Sequence, residues 1–157
     1  MSYFHASLLR LDVNSTINAG AWGARMIASG VRHPHYFREL ELERARERVD
    51  ATFPSRFKSA YAFLDQQYAS GFAQMQVGQQ GIPTLLYEVE PVTGSQECRL
   101  PMGYIDSWSQ LCTREEIEQW AEGYWRSAPY SEQDSEVLVS DGLVVKGMLD
   151  RFTPNGW

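Results

Sequence analysis

Three polar side chains with chemical potential lie in short apolar segments of the chain. His5 follows an aromatic pair, Tyr61 lies between two alanines, and Glu136 directly precedes a run of three aliphatic residues. An imidazole can accept a hydrogen bond, an aromatic ring can stack on a flat cation, and a fixed carboxylate stabilises positive charge in a transition state. Taken singly, each residue also fits an ordinary role: a core histidine, a packed tyrosine and a solvated carboxylate.

Several familiar catalytic and nucleotide-binding motifs are absent from the sequence. It contains no GxGxxG, GxxxxGK[ST], GxSxG or HExxH pattern, which argues against Rossmann, P-loop, α/β-hydrolase and zinc-protease sites. Cys98 and Cys112 are the only cysteines and form no CxxC motif, so we expect neither a disulfide framework nor a structural zinc site. His33 and His35 flank a proline and are expected to face solvent. The sequence therefore predicts no metal centre.

Length and composition indicate one globular domain. The chain has 157 residues, of which 43% are hydrophobic and 22% charged, and such a chain can bury a core of its own. A net charge of −6 argues against non-specific nucleic-acid binding, although a local patch could still approach such a substrate. No apolar run reaches the roughly 18 residues of a membrane span, and the start of the chain lacks the features of a signal peptide. We expect a cytoplasmic protein, in the producing cell or in a target cell, without membrane contact.

The hydrophobic pattern predicts the elements that hold these side chains. Alternating or continuous apolar runs predict strands over residues 3–11, 58–64, 84–90, 101–108, 136–139 and 143–149. Helices are predicted over residues 35–49, from residue 65 onward, and after the capping box that Thr113 and Glu116 form. On the first helix an apolar stripe opposes a charged face that includes Glu39, which we expect to be solvated.

The remaining segments complete the predicted topology. Residues 14–23 carry turn residues and two glycines and are predicted to be a loop, and Asp141-Gly142 predicts a hairpin between the last two strands. The order is strand, helix, strand, helix and then mostly strands. This order favours an α+β fold over a doubly wound parallel sheet.

Four short motifs occur in an order that resembles the ADP-ribosyltransferase fold in its His-Tyr-Glu branch. They are YFHAS at 3–7, SAYAF at 59–63, LYEVEP at 86–91 and SEVLV at 135–139. The likeness to poly(ADP-ribose) polymerases and to the small bacterial rifampin-type transferases extends from Phe4 to about Leu149. It implies a split β-sheet core with flanking helices. It also implies NAD as the co-substrate, without a metal or a prosthetic group.

The resemblance assigns roles in NAD binding to the first motifs. His5 would hydrogen-bond the adenosine ribose, while Ser7 and the backbone of Ala6 would hold the nicotinamide end. Tyr61 would stack on the nicotinamide ring, and Tyr68 is a candidate for the opposite ring face. The family usually has glycine where this chain has Ala6, and a Cβ is tolerated there only if φ stays negative.

The last motif supplies the catalytic carboxylate that the resemblance implies. Glu136 would bond the 2′-hydroxyl of the nicotinamide ribose and stabilise the charge that develops at C1′ as nicotinamide leaves. Glu132, Asp134 and Asp141 lie close in sequence and remain alternatives. Arg56 is a candidate partner for the NAD pyrophosphate, and a solvated loop arginine is the competing interpretation.

These roles predict an NAD-dependent mono-ADP-ribosyltransferase. Its acceptor could be a protein, a nucleic acid or a small molecule, and its use could be that of a toxin, a drug-modifying enzyme or a factor in conflict between host and phage. A non-catalytic NAD-binding or protein-interaction domain of the same fold is the alternative, favoured by Ala6. An enzyme similar to RNA 2′-phosphotransferases is a third interpretation, but it requires a basic patch.

Overall fold

The protein has an α+β architecture in the computed structural model, which describes residues 1–129 and 131–155. The strands are β1 (Tyr3–Ser7), β2 (Thr16–Ile17), β3 (Ala60–Phe63), β4 (Thr84–Pro91), β5 (Glu97–Pro101), β6 (Ser135–Val139) and β7 (Leu143–Phe152). The α-helices are α1 (Ala21–Ser29), α2 (Tyr36–Val49), α3 (Gln66–Gln80), α4 (Met102–Asp106) and α5 (Arg114–Arg126).

The strands form one sheet in the order β2-β7-β4-β1-β3-β6-β5, and the described pairs are antiparallel. The three strands that carry His5, Tyr61 and Glu136 are therefore neighbours near the middle of the sheet. Between β1 and β3 only Phe4 and Phe63 are paired, whereas β1 pairs with β4 along its whole length. The sheet is thus nearly divided beside His5.

The two halves of the sheet are joined by a very short connection. Residues 140–142 link the end of β6 to the start of β7, although β3, β1 and β4 lie between these strands in the sheet. Such a link requires the sheet to curve until its inner face closes on itself. Buried side chains from both halves pack there in one cluster: Tyr3, Ala60, Ala62, Leu64, Tyr87, Val89, Val137, Val139, Leu143 and Val145.

Helices cover the outer face of the sheet. The capping box at Thr113 and Glu116 is present and begins α5, as predicted. This helix packs beside α2, and α3 lies over β1 and β4. The second cluster buries aromatic and aliphatic side chains between these helices and the strands, among them Leu42, Phe63, Leu86, Leu100, Trp120, Tyr124, Trp125 and Leu138.

Two predicted strand features are wrong. Residues 102–106 form α4, and the strand of this region is β5, which ends at Pro101. Proline lacks the N–H that would continue a strand ladder, and its fixed φ suits the start of a helix. The Asp141-Gly142 turn does not make a hairpin, because β6 pairs with β3 and β5 while β7 pairs with β4 and β2. The turn signal predicted the reversal but could not predict the partner.

Boundaries near the start of the chain also differ from the prediction. The first strand ends at Ser7, and the segment 14–23 contains β2 and the beginning of α1. Helix α1 escaped prediction because its sequence is short and contains Gly23. That glycine is needed for packing: a Cβ at Gly23 would lie 1.9 Å from the carbonyl oxygen of Phe57. The close approach sets α1 against the segment before β3 and places Trp22 at 5.2 Å from the ring of Tyr61.

We expect Gly23→Ala to lower the free energy of unfolding by about 3 kcal/mol, because a backbone oxygen occupies the space of the new methyl group. Urea denaturation followed by circular dichroism measures this change. Gly78→Ala is the matched control, since the structure places nothing within 4 Å of its added Cβ. That control should gain up to about 1 kcal/mol from helix propensity, and equal stability of the two variants would contradict the assigned packing.

Candidate active site

The structure brings Tyr61 and Glu136 to one face of the sheet. Phe63 lies opposite Glu136 in the β3–β6 ladder, and Tyr61, two residues before Phe63, points the same way. Phe4 is opposite Phe63, so this outer face on β1 carries Phe4 and His5 points to the inner face. His5 therefore lies on the opposite face of the sheet from Tyr61 and Glu136, next to the nearly unpaired seam between β1 and β3.

His5 is fixed by its neighbour across that seam. Its Nδ1 lies 2.8 Å from the backbone oxygen of Tyr61, and because a carbonyl oxygen can only accept, Nδ1 carries the proton. Burial lowers the pKa of His5 below its ordinary value, so the ring is neutral at pH 7. In this tautomer Nε2 is an acceptor, and it bonds no residue that the structure describes.

Arg56 lies at the centre of a buried polar network. The residue is 3% exposed, and its Nε donates to Glu39 Oε2 at 2.6 Å. Its Nη1 donates to Glu136 Oε1 and to the hydroxyl of Tyr124. The guanidinium carbon lies 5.1 Å from the ring centre of Tyr61 and 5.2 Å from that of Tyr124, so two aromatic rings also contact this cation.

The charges of this network compensate one another. Burial by itself raises the pKa of Glu39, but the charges of Arg56 and Arg38 outweigh it and hold that pKa below its ordinary value. Burial opposes the charge on Arg56, yet Glu136 and Glu39 raise its pKa well above the usual range. Arg38 reaches Glu39 at 2.7 Å. Two arginines therefore face two carboxylates away from solvent.

The hydrogen bonds of Glu136 fall on one of its oxygens. Arg56 and the hydroxyl of Tyr124 both donate to Oε1, and within the described part of the chain no group donates to Oε2. The residue is 4% exposed. Burial raises the pKa of Tyr124 well above its ordinary value, so its hydroxyl stays protonated and able to donate. The carboxylate is thus held from one side, with its remaining acceptor capacity on Oε2.

The two tyrosines that the resemblance assigned to nicotinamide have different surroundings. The hydroxyl of Tyr61 donates to the carbonyl of Arg56, and Trp22 meets its ring edge-on. Tyr68, in the first turn of α3, packs against Phe63 with ring centres 5.4 Å apart and donates to Asp106 Oδ2 at 3.4 Å. Burial raises the pKa of Tyr68 to about 12. The structure therefore places Tyr68 over Phe63, which follows Tyr61 on the same face of β3.

The backbone of β1 keeps an ordinary strand conformation at Ala6, where the chain differs from the family motif. Within the described ranges Asn14 is the one non-glycine residue with positive φ, so Ala6 meets the condition for a Cβ at that position. Ser7 shares the inner face with His5, and its Oγ accepts from the backbone N–H of Leu9 at 3.0 Å. Ala6 is paired with Leu86.

The alternative carboxylates lie outside the network around Arg56. Asp134 accepts from the backbone N–H of Gly103 at 3.0 Å, and Glu132 is exposed in the 3₁₀ turn before β6. Asp141 accepts from Ser140 in the link to β7. Of the acids considered, Glu136 alone contacts Arg56.

The sequence did not predict that Glu39 and Arg56 form a buried ion pair. Glu39 was expected on a solvated helix face, but it is 0% exposed. Its buried partner Arg56 lies 17 residues further along the chain, and periodicity on a single helix carries no signal of such a partner. The donors of Arg56 are engaged by Glu39, Glu136 and Tyr124, and the side chain is buried, which disfavours both the predicted contact with the NAD pyrophosphate and a solvated loop position.

No protein-family model matches this chain, and no curated protein matches it. Among the described residues no three histidine, cysteine or acidic side chains come together as a set that could hold a metal ion. The helices in the described ranges include none with the length and apolarity needed to cross a membrane. The geometry of the site is therefore the basis for the functional proposal.

We expect Arg56→Met to lower the free energy of unfolding by about 3–5 kcal/mol, because it leaves the buried Glu136 without a cation and the buried Glu39 with Arg38 alone. Urea denaturation at pH 7 measures the loss. Arg48→Ala is the control, since it removes an exposed ion pair to Glu122 whose partners are 42% and 36% exposed, and it should cost less than about 1 kcal/mol. Comparable losses in the two variants would contradict the central place of Arg56.

Proposed function

We propose that this chain is an NAD-dependent mono-ADP-ribosyltransferase that uses His5, Tyr61 and Glu136. The proposal depends chiefly on one observation: the strands that carry the three motifs are adjacent, in the order β1-β3-β6. Residues 5, 61 and 136 are far apart in the chain, and the fold places them on three successive strands.

Two acceptor atoms that make no hydrogen bond within the described part of the chain, one on His5 and one on Glu136, support the same proposal. His5 uses Nδ1 for the Tyr61 carbonyl, and Glu136 uses Oε1 for Arg56 and Tyr124. Nε2 of His5 and Oε2 of Glu136 are both acceptors, and the hydroxyl groups of the two NAD riboses are donors. Acceptors fixed from behind on rigid strands need little reorganisation when such hydroxyls arrive.

The proposed reaction breaks the bond between nicotinamide and the ribose C1′. The electron pair of that bond leaves with nicotinamide, and positive charge develops on the ribose. Glu136 stabilises this charge through the 2′-hydroxyl while an acceptor nucleophile attacks C1′ and loses its proton. The ring of Tyr61 lies on the same sheet face as Glu136 and offers a stacking surface to the cationic nicotinamide.

Access to Glu136 is the main requirement of this mechanism. The carboxylate is 4% exposed, and Arg56 already balances its charge. The seam beside His5, where β1 and β3 are paired only at Phe4 and Phe63, is the weakest part of the sheet near the site. We propose that NAD enters along this seam, because the neighbouring strand pairs, β1–β4 and β3–β6, are paired along their length.

The same burial favours the second candidate, a domain that binds NAD without turnover. A carboxylate that remains covered and paired contributes little field at C1′. Release of nicotinamide from isotope-labelled NAD separates the two candidates, and mass spectrometry of proteins, nucleic acids and small molecules in a treated lysate identifies the acceptor. Binding without release or transfer would establish the second candidate.

We expect Glu136→Gln to reduce nicotinamide release by about 100-fold or more while NAD affinity changes only a few fold, because the lost charge acts mainly in the transition state. Release is measured by chromatography and affinity by calorimetry. Thermal unfolding of the variant must be compared with wild type, because Glu136 also pairs with Arg56.

Glu132→Gln and Asp134→Asn are matched controls for Glu136→Gln, since both remove a nearby carboxylate outside the Arg56 network. Both should keep full turnover. A fully active Glu136→Gln protein would exclude Glu136 as the catalytic carboxylate, and loss of activity in Asp134→Asn alone would transfer the role to that residue.

We expect Tyr61→Ala to weaken NAD binding about tenfold through lost stacking. His5→Ala should weaken it about fivefold through one lost hydrogen bond. Tyr61→Phe is the control for the first variant, because it keeps the ring and removes only the bond to the Arg56 carbonyl. Calorimetry at one pH measures all three affinities. Unchanged affinity in both alanine variants, with folding intact, would assign His5 and Tyr61 to structure alone.

A further inference from the structure

A groove at the open end of the inner sheet face combines exposed apolar side chains with two arginines. It encloses about 580 Å³ between the end of β1, the start of β4 and the end of β7. Three large apolar side chains on its border are substantially exposed, Leu8 at 36%, Ile82 at 41% and Met148 at 59%. Its other principal lining residues are Leu85, Arg10 and Arg151.

The sheet register fixes the arrangement of this groove. Arg151 lies opposite Leu85, and Met148 lies opposite Tyr87 on the neighbouring strand. Residues opposite each other in an antiparallel ladder project to the same face. The side chains of Arg151, Leu85 and Met148 therefore lie on the same face of the sheet, which places the cation next to apolar surface.

The two arginines are available to a ligand. Neither Arg10 nor Arg151 forms an ion pair with a residue in the described ranges. Arg10 is exposed, as is Arg151, and no carboxylate or histidine lines the groove with them. On a chain with a net charge of −6, this is a local positive site next to exposed apolar surface.

We propose that the groove binds a small amphiphilic anion, whose apolar body covers Leu8, Ile82 and Met148 and whose acidic group bonds Arg10 and Arg151. The apolar floor supplies burial, and a guanidinium group gives charge-assisted hydrogen bonds to carboxylate, phosphate or sulfonate. The proposal does not depend on the proposed transferase activity.

The observations favour this ligand class over the other occupants. Single-stranded nucleic acid binds through aromatic rings that stack on bases, and the lining residues include none. A metal ion needs carboxylate or imidazole ligands, which the lining also lacks. A volume of about 580 Å³ falls within the range of small-molecule sites.

Dodecanoate is a suitable probe, used below its critical micelle concentration and measured by calorimetry on the full chain. Dodecyltrimethylammonium has the same apolar body with the opposite charge, and inorganic phosphate has the charge without the body. We expect saturable binding of dodecanoate and at least about tenfold weaker binding of both comparison probes. Equal binding of the two amphiphiles, or binding of phosphate alone, would overturn the proposal.

Variants locate the site. Arg10→Glu/Arg151→Glu should weaken dodecanoate binding more than about tenfold, and so should Met148→Asp, which places a charge on the apolar floor. Arg25→Glu/Arg32→Glu is the control with the same change in net charge, made at exposed positions of α1 and the turn after it, and it should bind as wild type does. Thermal unfolding confirms that each variant is folded, and a loss of binding in the control equal to that in the groove variants would refute the assignment.

Two further outcomes separate this site from other sources of binding. Displacement of dodecanoate by NAD at the affinity of NAD itself would make the groove a part of the nucleotide site and overturn it as a separate one. Absence of NAD binding with dodecanoate binding intact would instead remove the proposed function and leave the groove. Binding only to phosphatidylglycerol vesicles, without binding of monomeric dodecanoate, would show a membrane surface in place of the proposed ligand.

Discussion

The cation of Arg56 has almost no solvent to stabilise it, and four parts of the chain converge to replace that solvent. Glu39 comes from α2, Tyr124 from α5, Glu136 from β6, and the ring of Tyr61 from β3. A buried charge of this kind is tolerated only when its partners are in place. The network therefore couples the positions of helices α2 and α5 to strands β3 and β6, which carry Tyr61 and Glu136.

This coupling explains why the arrangement of the sheet matters to the site. The seam between β1 and β3 gives up ladder hydrogen bonds, and the imidazole of His5 replaces one of them by donating to the Tyr61 carbonyl. The short link at residues 140–142 closes the inner face, which holds the two halves together where the ladder cannot.

Local signals in the sequence predicted much of this fold, and pairings between distant residues marked the limit of the prediction. The capping box of α5 and the helix over residues 36–49 depend on neighbours within a few positions, and both are present. The hairpin at Asp141-Gly142 was wrong because the partner of β7 is β4, which lies more than fifty residues earlier. Helix α1 was missed because its close approach to Phe57 required the glycine that weakened its helical pattern.

For the candidate site, too, contacts between distant residues were the part that the sequence did not predict. Residue types alone left His5, Tyr61 and Glu136 open to ordinary structural roles, and the resemblance of their order to one family made them candidates. Residue types and order were not sufficient to show that Glu39 is buried or that Arg56 lies between two carboxylates, because those facts depend on tertiary contacts across 17 and 80 residues. Oε1 of Glu136 accepts hydrogen bonds from Arg56 and Tyr124 in that network, whereas Oε2 accepts none from a residue that the structure describes. A carboxylate in this position is held rigidly, but part of its field is cancelled by Arg56. Glu39 pairs with the same guanidinium as Glu136, so the charge of Arg56 is divided between two carboxylates and offsets only part of the field of Glu136.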